Sequence, residues 1–418
     1  MRTRGLKPYY LAVWKWKLAL LRYRAFRQAA LLGAAFRPVQ DHVYLWPAFA
    51  ASDETELEAV ETKIVHYLHN LDIYVVYFRH QGGELARYCY NPAERRVVGR
   101  SITSDTAAWR ELQRARYCAL WQYHSRPRAK SLKPWLYFVA EGPECYGTTD
   151  WLQLVTDIYL SRHPFPNRAV RFPETSVSSC AILGTGPSVD YFMSESDRWD
   201  AWIGANDLVC DERIWGRGRP FALCVIDPYF FSPTQCWKPM WDGAFRLLRD
   251  TPAVLVTSRD FAAYVELNFP DDIKRKCYYV TTLGHDTYRI TTRFSLASLT
   301  VTPFGNVLTD LILPLAASIS RRVILYGCDG RPPGATYLPK SLGLQEYDDA
   351  WRDEACMQVD EGYYSRCIDM FSLYTRFVVD KCRSQGVYLS VRVPSWNTGL
   401  SHLPLYVPEG APCNVELS

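Results

Sequence analysis

No acidic residue occurs before Asp41 and no serine before Ser52. The first absence makes the opening segment wholly basic, and the second argues against a Ser-rich organellar transit peptide. The chain also lacks any apolar stretch near the ~20 residues needed to span a bilayer. It shows no apolar core with a small-residue cleavage site of the kind that marks a secretory signal. The expectation is a cytoplasmic protein whose reach extends to the inner face of the cell membrane.

Thirteen cysteines include no Cys-x-x-Cys pair, and a chain of 418 residues needs no disulfide framework to hold a core. They read as reduced thiols. Cys210 and Cys328, which stand near polar loops, read as small buried hydrophobes. No Asp-x-Asp occurs, so the usual chelate for a divalent ion on a diphosphate is missing. His66, His69 and His80 have no cysteine or carboxylate at ligand spacing to complete a metal site and read as structural. A net charge of +4 is too small to imply a nucleic-acid partner.

What is present begins with Arg2, Arg4, Lys7, Lys15, Lys17, Arg22, Arg24, Arg27 and Arg37, interleaved with Trp14, Trp16, Leu18, Leu20, Leu21 and Tyr23. That mixture suits the surface of an anionic membrane, and it equally suits a basic helix packed on the protein. With 48% hydrophobic and 22% charged residues the chain is a folded one, and its length points to two domains. The turn-rich stretch Arg162-His-Pro-Phe-Pro-Asn-Arg168, with Pro173 after it, separates an N-terminal α+β region, 1–170, from a second region, 171–418. In the first, Leu71–Phe78 reads as a strand and the stretch from Trp109 to Tyr123 as helical.

The second region is regular. Short apolar runs recur at Cys180–Leu183, Ala201–Gly204, Phe221–Ile226, Ala253–Val256, Tyr278–Thr282, Val323–Tyr326 and Val387–Val393. Runs apolar at every position are strands buried on both faces, so the expected fold class is α/β, a doubly wound and mostly parallel sheet. A helix is expected over Ser365–Cys382, with Gly386 just past its end. Ligands bind outside the carboxyl ends of such strands. There the sequence places Gly184-Thr185-Gly186-Pro187-Ser188, Ala205-Asn206-Asp207, Asp227-Pro228, Ser258-Arg259, Gly327-Cys328-Asp329 and Pro394-Ser395. Glycines let a phosphate approach the backbone, and the N–H groups opening the next helix would face it. The loop is neither a Walker loop, for no Gly-Lys-Ser/Thr follows, nor a full dinucleotide fingerprint, whose third glycine is missing.

The ordered series Ile182-Leu-Gly-Thr-Gly-Pro-Ser-Val-Asp190, Gly204-Ala-Asn206, Val225-Ile-Asp-Pro228, Gly305-Asn306 and Tyr326-Gly-Cys-Asp329 resembles the bacterial lipooligosaccharide sialyltransferase family. It is also similar to the related Maf-type flagellin glycosyltransferases and their pterin pyrophosphokinase-like relatives. The resemblance covers about residues 178–400 and leaves the first 170 unexplained. It implies a Rossmann-like, sialyltransferase-like domain that takes a CMP-activated sugar as donor substrate, without a further cofactor. Gly184 to Ser188 and Asn206 would hold that donor, with Asp227 where the family has an asparagine. Arg331 and Tyr337 fall at the two lid tyrosines that hold the leaving phosphate.

The family's general base, a histidine before the last helix, has no counterpart. Tyr364 stands at about that place, and an unperturbed tyrosine with a pKa of ~10 is a poor base near neutrality. Asp360, Glu361 and His285 are the other candidates. The implied reaction is an inverting, metal-independent transfer of a nonulosonic acid or Kdo to a cell-surface glycan or glycolipid acceptor. An ATP-dependent diphosphokinase and a non-catalytic nucleotide- or glycan-binding assembly factor are the alternatives.

Overall fold

The computed structural model describes residues 42–121, 136–138, 146–164, 176–195, 198–233, 237–282, 300–301, 306–332, 340–344 and 361–408. The chain divides into two compact units between Pro166 and Asn167, with Ala263–Asn268 grouped with the first. Among the described residues no helix is long and apolar enough to cross a membrane. The basic segment 1–37, for which a membrane contact is expected, lies outside the described residues, as do Asp360, His285, Gly305 and Tyr337.

The first unit is built on a six-stranded mixed sheet of order β4-β3-β2-β1-β5-β6. Its strands are β1 (His42–Trp46), β2 (Tyr74–Gln81), β3 (Glu84–Asn91), β4 (Arg96–Thr103), β5 (Tyr117–Leu120) and β6 (Leu136–Phe138). Helices α1 (Glu54–Leu68), α2 (Asp105–Arg114) and α3 (Tyr146–Arg162) accompany them. Between β2 and β3 the chain reverses through Gly82 and Gly83, both at positive φ (58° and 86°), as a two-residue hairpin of matching twist requires. Ser104 starts α2 by accepting the Ala107 N–H at 3.2 Å on its hydroxyl. The helical stretch expected from Trp109 to Tyr123 is corrected here. It ends at Arg114, and Tyr117–Leu120, buried throughout, becomes β5 beside β1. A four-residue apolar run is ambiguous alone, and parallel pairing decides it. His66 and His69 meet Tyr264 Oη and the Val65 carbonyl, at 2.8 and 2.7 Å.

The second unit carries an eight-stranded sheet of order β12-β11-β10-β9-β8-β7-β13-β14, parallel at every pairing. The strands are β7 (Cys180–Leu183), β8 (Ala201–Ala205), β9 (Pro220–Val225), β10 (Val254–Ser258), β11 (Cys277–Thr282), β12 (Thr300–Val301), β13 (Arg322–Tyr326) and β14 (Tyr388–Val391). Every apolar run becomes a strand, and β7 through β10 are buried at each residue. Each side chain so buried is worth roughly 1.5–3 kcal/mol if it is a Val, Leu or Ile.

Helices α4 (Val189–Ser194), α5 (Lys238–Asp250), α6 (Leu313–Ile319) and α7 (Glu361–Ser384) connect or cover the strands. On α6, Leu313, Leu315, Ala316 and Ile319 join Val378, Val379 and Cys382 of α7 in one core with alternate residues of the sheet. Helix α7 begins four residues before the expected Ser365, so Glu361 and Tyr364 form its first turn. A glutamate there favours the positive helix end. Gly386, at φ 78°, takes up the left-handed turn past its C-terminus.

The strand order reverses between β7 and β13, so the chain leaves the sheet centre in one direction and returns on the other side of β7. At that point the two backbones nearly touch. A Cβ on Gly184 would overlap the Gly327 carbonyl, and one on Gly327, itself at φ 66°, would overlap that of Gly184. Gly184→Ala is expected to cost about 1–3 kcal/mol through overpacking, read as a lower denaturant midpoint at unchanged slope.

Candidate functional site

The loop Gly184–Ser188 leaves β7 and leans on the loop that leaves β13. Gly184 N–H donates to the Tyr326 carbonyl at 2.8 Å and Gly186 N–H to the Gly327 carbonyl at 2.9 Å. Ser188 N–H donates to Asp329 Oδ2 at 2.8 Å, and Gly327 N–H returns a bond to Ser188 Oγ at 2.7 Å. Pro187, exposed, has no N–H to give. The N–H groups expected to cradle a phosphate are therefore in part already engaged. Three N–H groups of the loop are bonded to the end of β13 and the loop after it, and one of those acceptors is the carboxylate of Asp329. The helix that follows, α4, is six residues long and supplies little dipole.

Beside this knot lies a second polar cluster, at the end of β8. Asn206 adopts φ 50°, a left-handed conformation that asparagine tolerates better than most residues yet at some strain. Its Oδ1 is buried and meets no hydrogen-bond partner among the described residues. The next residue, Asp207, is buried and accepts from Lys340 Nζ at 2.9 Å. The same ammonium donates to Thr185 Oγ1 at 3.1 Å.

Lys340 is held by its backbone neighbours. Ser341 N–H donates to the Thr185 carbonyl at 2.9 Å and Leu342 N–H to Asp190 Oδ2 at 3.2 Å. Arg213 bridges Asp190 and the buried Asp211, at 2.9 and 2.5 Å, and its hydrogen bonds to Asp211 and then Asp190 hold the guanidinium firmly charged. The segment 340–344 thus lies strapped over the loop after β7.

Burial raises both thiols near the cluster. The Cys210 thiol is pushed up to about 12 by burial first and by the Asp207 charge second, and that of Cys328 is raised by burial and then by Asp329. Neither offers a thiolate near neutrality, as expected of packed cysteines. Among the described residues no group of three His, Cys, Asp or Glu side chains is placed to hold a metal ion.

The remaining sequence candidates are spread more widely. Asp227 is exposed at the end of β9, where its carbonyl accepts from Phe230 N–H at 3.3 Å. Asn306 uses its side-chain carbonyl to cap the following helical segment, accepting from Leu308 N–H at 2.8 Å. Arg331 is half-buried past Asp329. Glu361 and Tyr364 lie on the first turn of α7, which runs back between two parallel strands and so starts on the side of their carboxyl ends.

The structure thus gathers Thr185, Gly186, Ser188, Asn206 and Asp329, and adds two residues to them, Asp207 and Lys340. Sequence reasoning gives Asp207 a place after the second strand but no role, and it misses Lys340. Asp207 had a signal, since it directly follows Asn206. Lys340 had none, for it lies 155 positions from the threonine it bonds.

Ser188→Ala strands the Gly327 N–H, and Asp329→Ala strands that of Ser188, each at about 1–3 kcal/mol. Because both act in one knot, the double variant is expected to lose less than the sum of the singles, with a coupling of ~0.5 kcal/mol or more in urea denaturation. No protein-family model, curated protein or solved structure matches the chain, so its likeness to the sialyltransferase family rests on the motif series alone.

Proposed function

We propose that residues from about 171 onward form a Rossmann-like, doubly wound glycosyltransferase domain. It moves a nonulosonic acid or Kdo from a CMP-activated donor to a cell-surface glycan or glycolipid. The carrying observation is the pair of buried acceptors, Asn206 Oδ1 and Asp329 Oδ1, that meet no partner among the described residues beside the loop after β7. A buried acceptor left unpaired costs about 1–3 kcal/mol. Ribose hydroxyls and a cytosine amine are donors that would satisfy both. Their place supports the reading, for ligands of parallel sheets bind where the strand order reverses, here between β7 and β13.

In the proposed reaction the acceptor hydroxyl oxygen bonds to the anomeric carbon while the bond from that carbon to the CMP phosphate oxygen breaks. CMP leaves with the electron pair, and the proton passes to a base drawn from Asp360, Glu361, Tyr364 and His285. Metal independence follows from the lack of Asp-x-Asp and from the donor's single phosphate. The basic aromatic segment 1–37 would keep the enzyme at an anionic membrane, near a lipid-linked acceptor.

CMP at 100 times its Kd is expected to stabilise the fold by about 2.7 kcal/mol in a thermal or denaturant assay. A CMP-sugar is expected to release CMP only when an acceptor glycan is present. Stabilisation by ATP with magnesium instead would favour the diphosphokinase. Binding of CMP without turnover, unchanged when Asp360, Glu361, Tyr364 and His285 are replaced in turn, would identify an assembly factor.

A further inference from the structure

We infer that Lys340 and Thr185 together form the anion seat of this site, taking two oxygens of a nucleotide's phosphate. The inference rests on the proposed nucleotide reading and deepens it by adding two donors to Arg331 and Tyr337, at which the family resemblance alone implies a phosphate contact.

The argument is one of donors. An ammonium has three N–H groups and accepts none. In the bond between Lys340 Nζ and Thr185 Oγ1, at 3.1 Å, the hydroxyl must therefore be the acceptor. Its own proton then has to point elsewhere, as a donor. A second N–H of Lys340 goes to Asp207 at 2.9 Å, which leaves a third. Two donors, one of them charged, thus stand side by side at the carboxyl edge of the sheet, next to the reversal in strand order. Two neighbouring donors of this kind match two oxygens of one phosphate.

Position and preorganisation point the same way. Lys340 is four-fifths buried, and the bonds from Ser341 to Thr185 and from Leu342 to Asp190 fix its backbone, so little side-chain freedom is left to lose on binding. Ser341, fully buried, turns an Oγ that meets no partner among the described residues. A salt bridge serving packing alone would need neither the threonine hydroxyl nor the strained Asn206 beside it. Asp207 keeps the ammonium neutralised while the site is empty, which makes burying it tolerable.

The test is calorimetric titration of the full chain with CMP and with cytidine, its counterpart without phosphate. Lys340→Met keeps the length of the side chain and removes the charge. It is expected to weaken CMP on the order of 10- to 100-fold and to leave cytidine within about twofold. Thr185→Val, which keeps the branched shape, is expected to weaken CMP about 5- to 10-fold with the same selectivity. Lys340→Arg is expected to recover most of the loss. Raising the salt concentration should weaken CMP binding to the unaltered protein more than to Lys340→Met.

Because Lys340→Met leaves Asp207 unpaired, the double variant Lys340→Met/Asp207→Asn supplies a neutral cluster, and retention of cytidine binding reports an intact site. Equal losses for CMP and cytidine, or none for either, overturn the anion seat alone. An unaltered protein that binds neither ligand overturns the anion seat and the nucleotide reading together.

Discussion

The contact on which the second unit depends is the meeting of two glycine backbones where its strand order reverses. Gly184 and Gly327 approach so closely that neither position has room for a Cβ. The approach lets the loop after β7 donate three N–H groups across to the strand beside it. Those bonds in turn fix Ser188 and Asp329. The neighbouring polar groups follow from that seam in turn: Thr185 lies in the loop it fixes, Lys340 bonds Thr185, and Asp207 bonds Lys340. A seam of backbone hydrogen bonds is stiff, and a stiff edge is what a precisely arranged site requires.

The arrangement also explains why so many charges can crowd one edge. Asp207, Asp211 and Asp329 are all buried, and a buried carboxylate is costly unless paired or hydrogen-bonded. Asp207 has Lys340, Asp211 has Arg213, and Asp329 has the Ser188 N–H. Lys340 and Ser188 reach their carboxylates from distant parts of the chain, whereas Arg213 lies two residues from Asp211 and reaches on to Asp190. Among the described residues of the cluster, single oxygens are left over at Asn206, Asp329 and Ser341. They are the places where a ligand would gain what the protein does not supply.

How much of this the sequence carried depends on what kind of information each feature needs. Strands buried on both faces are apolar at every position, so the runs from Cys180 to Val391 could be read directly, and Cys180–Leu183 was read to the residue. β12 escaped because a two-residue pairing has no composition of its own. Tyr117–Leu120 reads as helix because Tyr-Cys-Ala-Leu has no period, and only its partner β1 makes it a strand. The position of the glycine loop was legible for the same local reasons. Its hydrogen bonding was not, since a sequence displays donors but not the acceptors they will meet. Asp329 and Lys340, distant from Ser188 and Thr185 along the chain, become their neighbours only through the reversal in strand order.

The place taken by Asp329 has a further consequence, one of direction. Its carboxylate lies against Gly186 and Ser188 of the loop, while the ammonium of Lys340 lies against Thr185. In the proposed reading, a loop that meets a carboxylate at one residue and an ammonium at another would favour one sense of a polar molecule. A ligand with an anionic head and a hydroxyl-bearing tail fits with its head toward Lys340. Turned end for end, it would bring two negative charges together. On that reading the loop would act less as a cradle than as a compass, and the molecule's own asymmetry would decide how it lies.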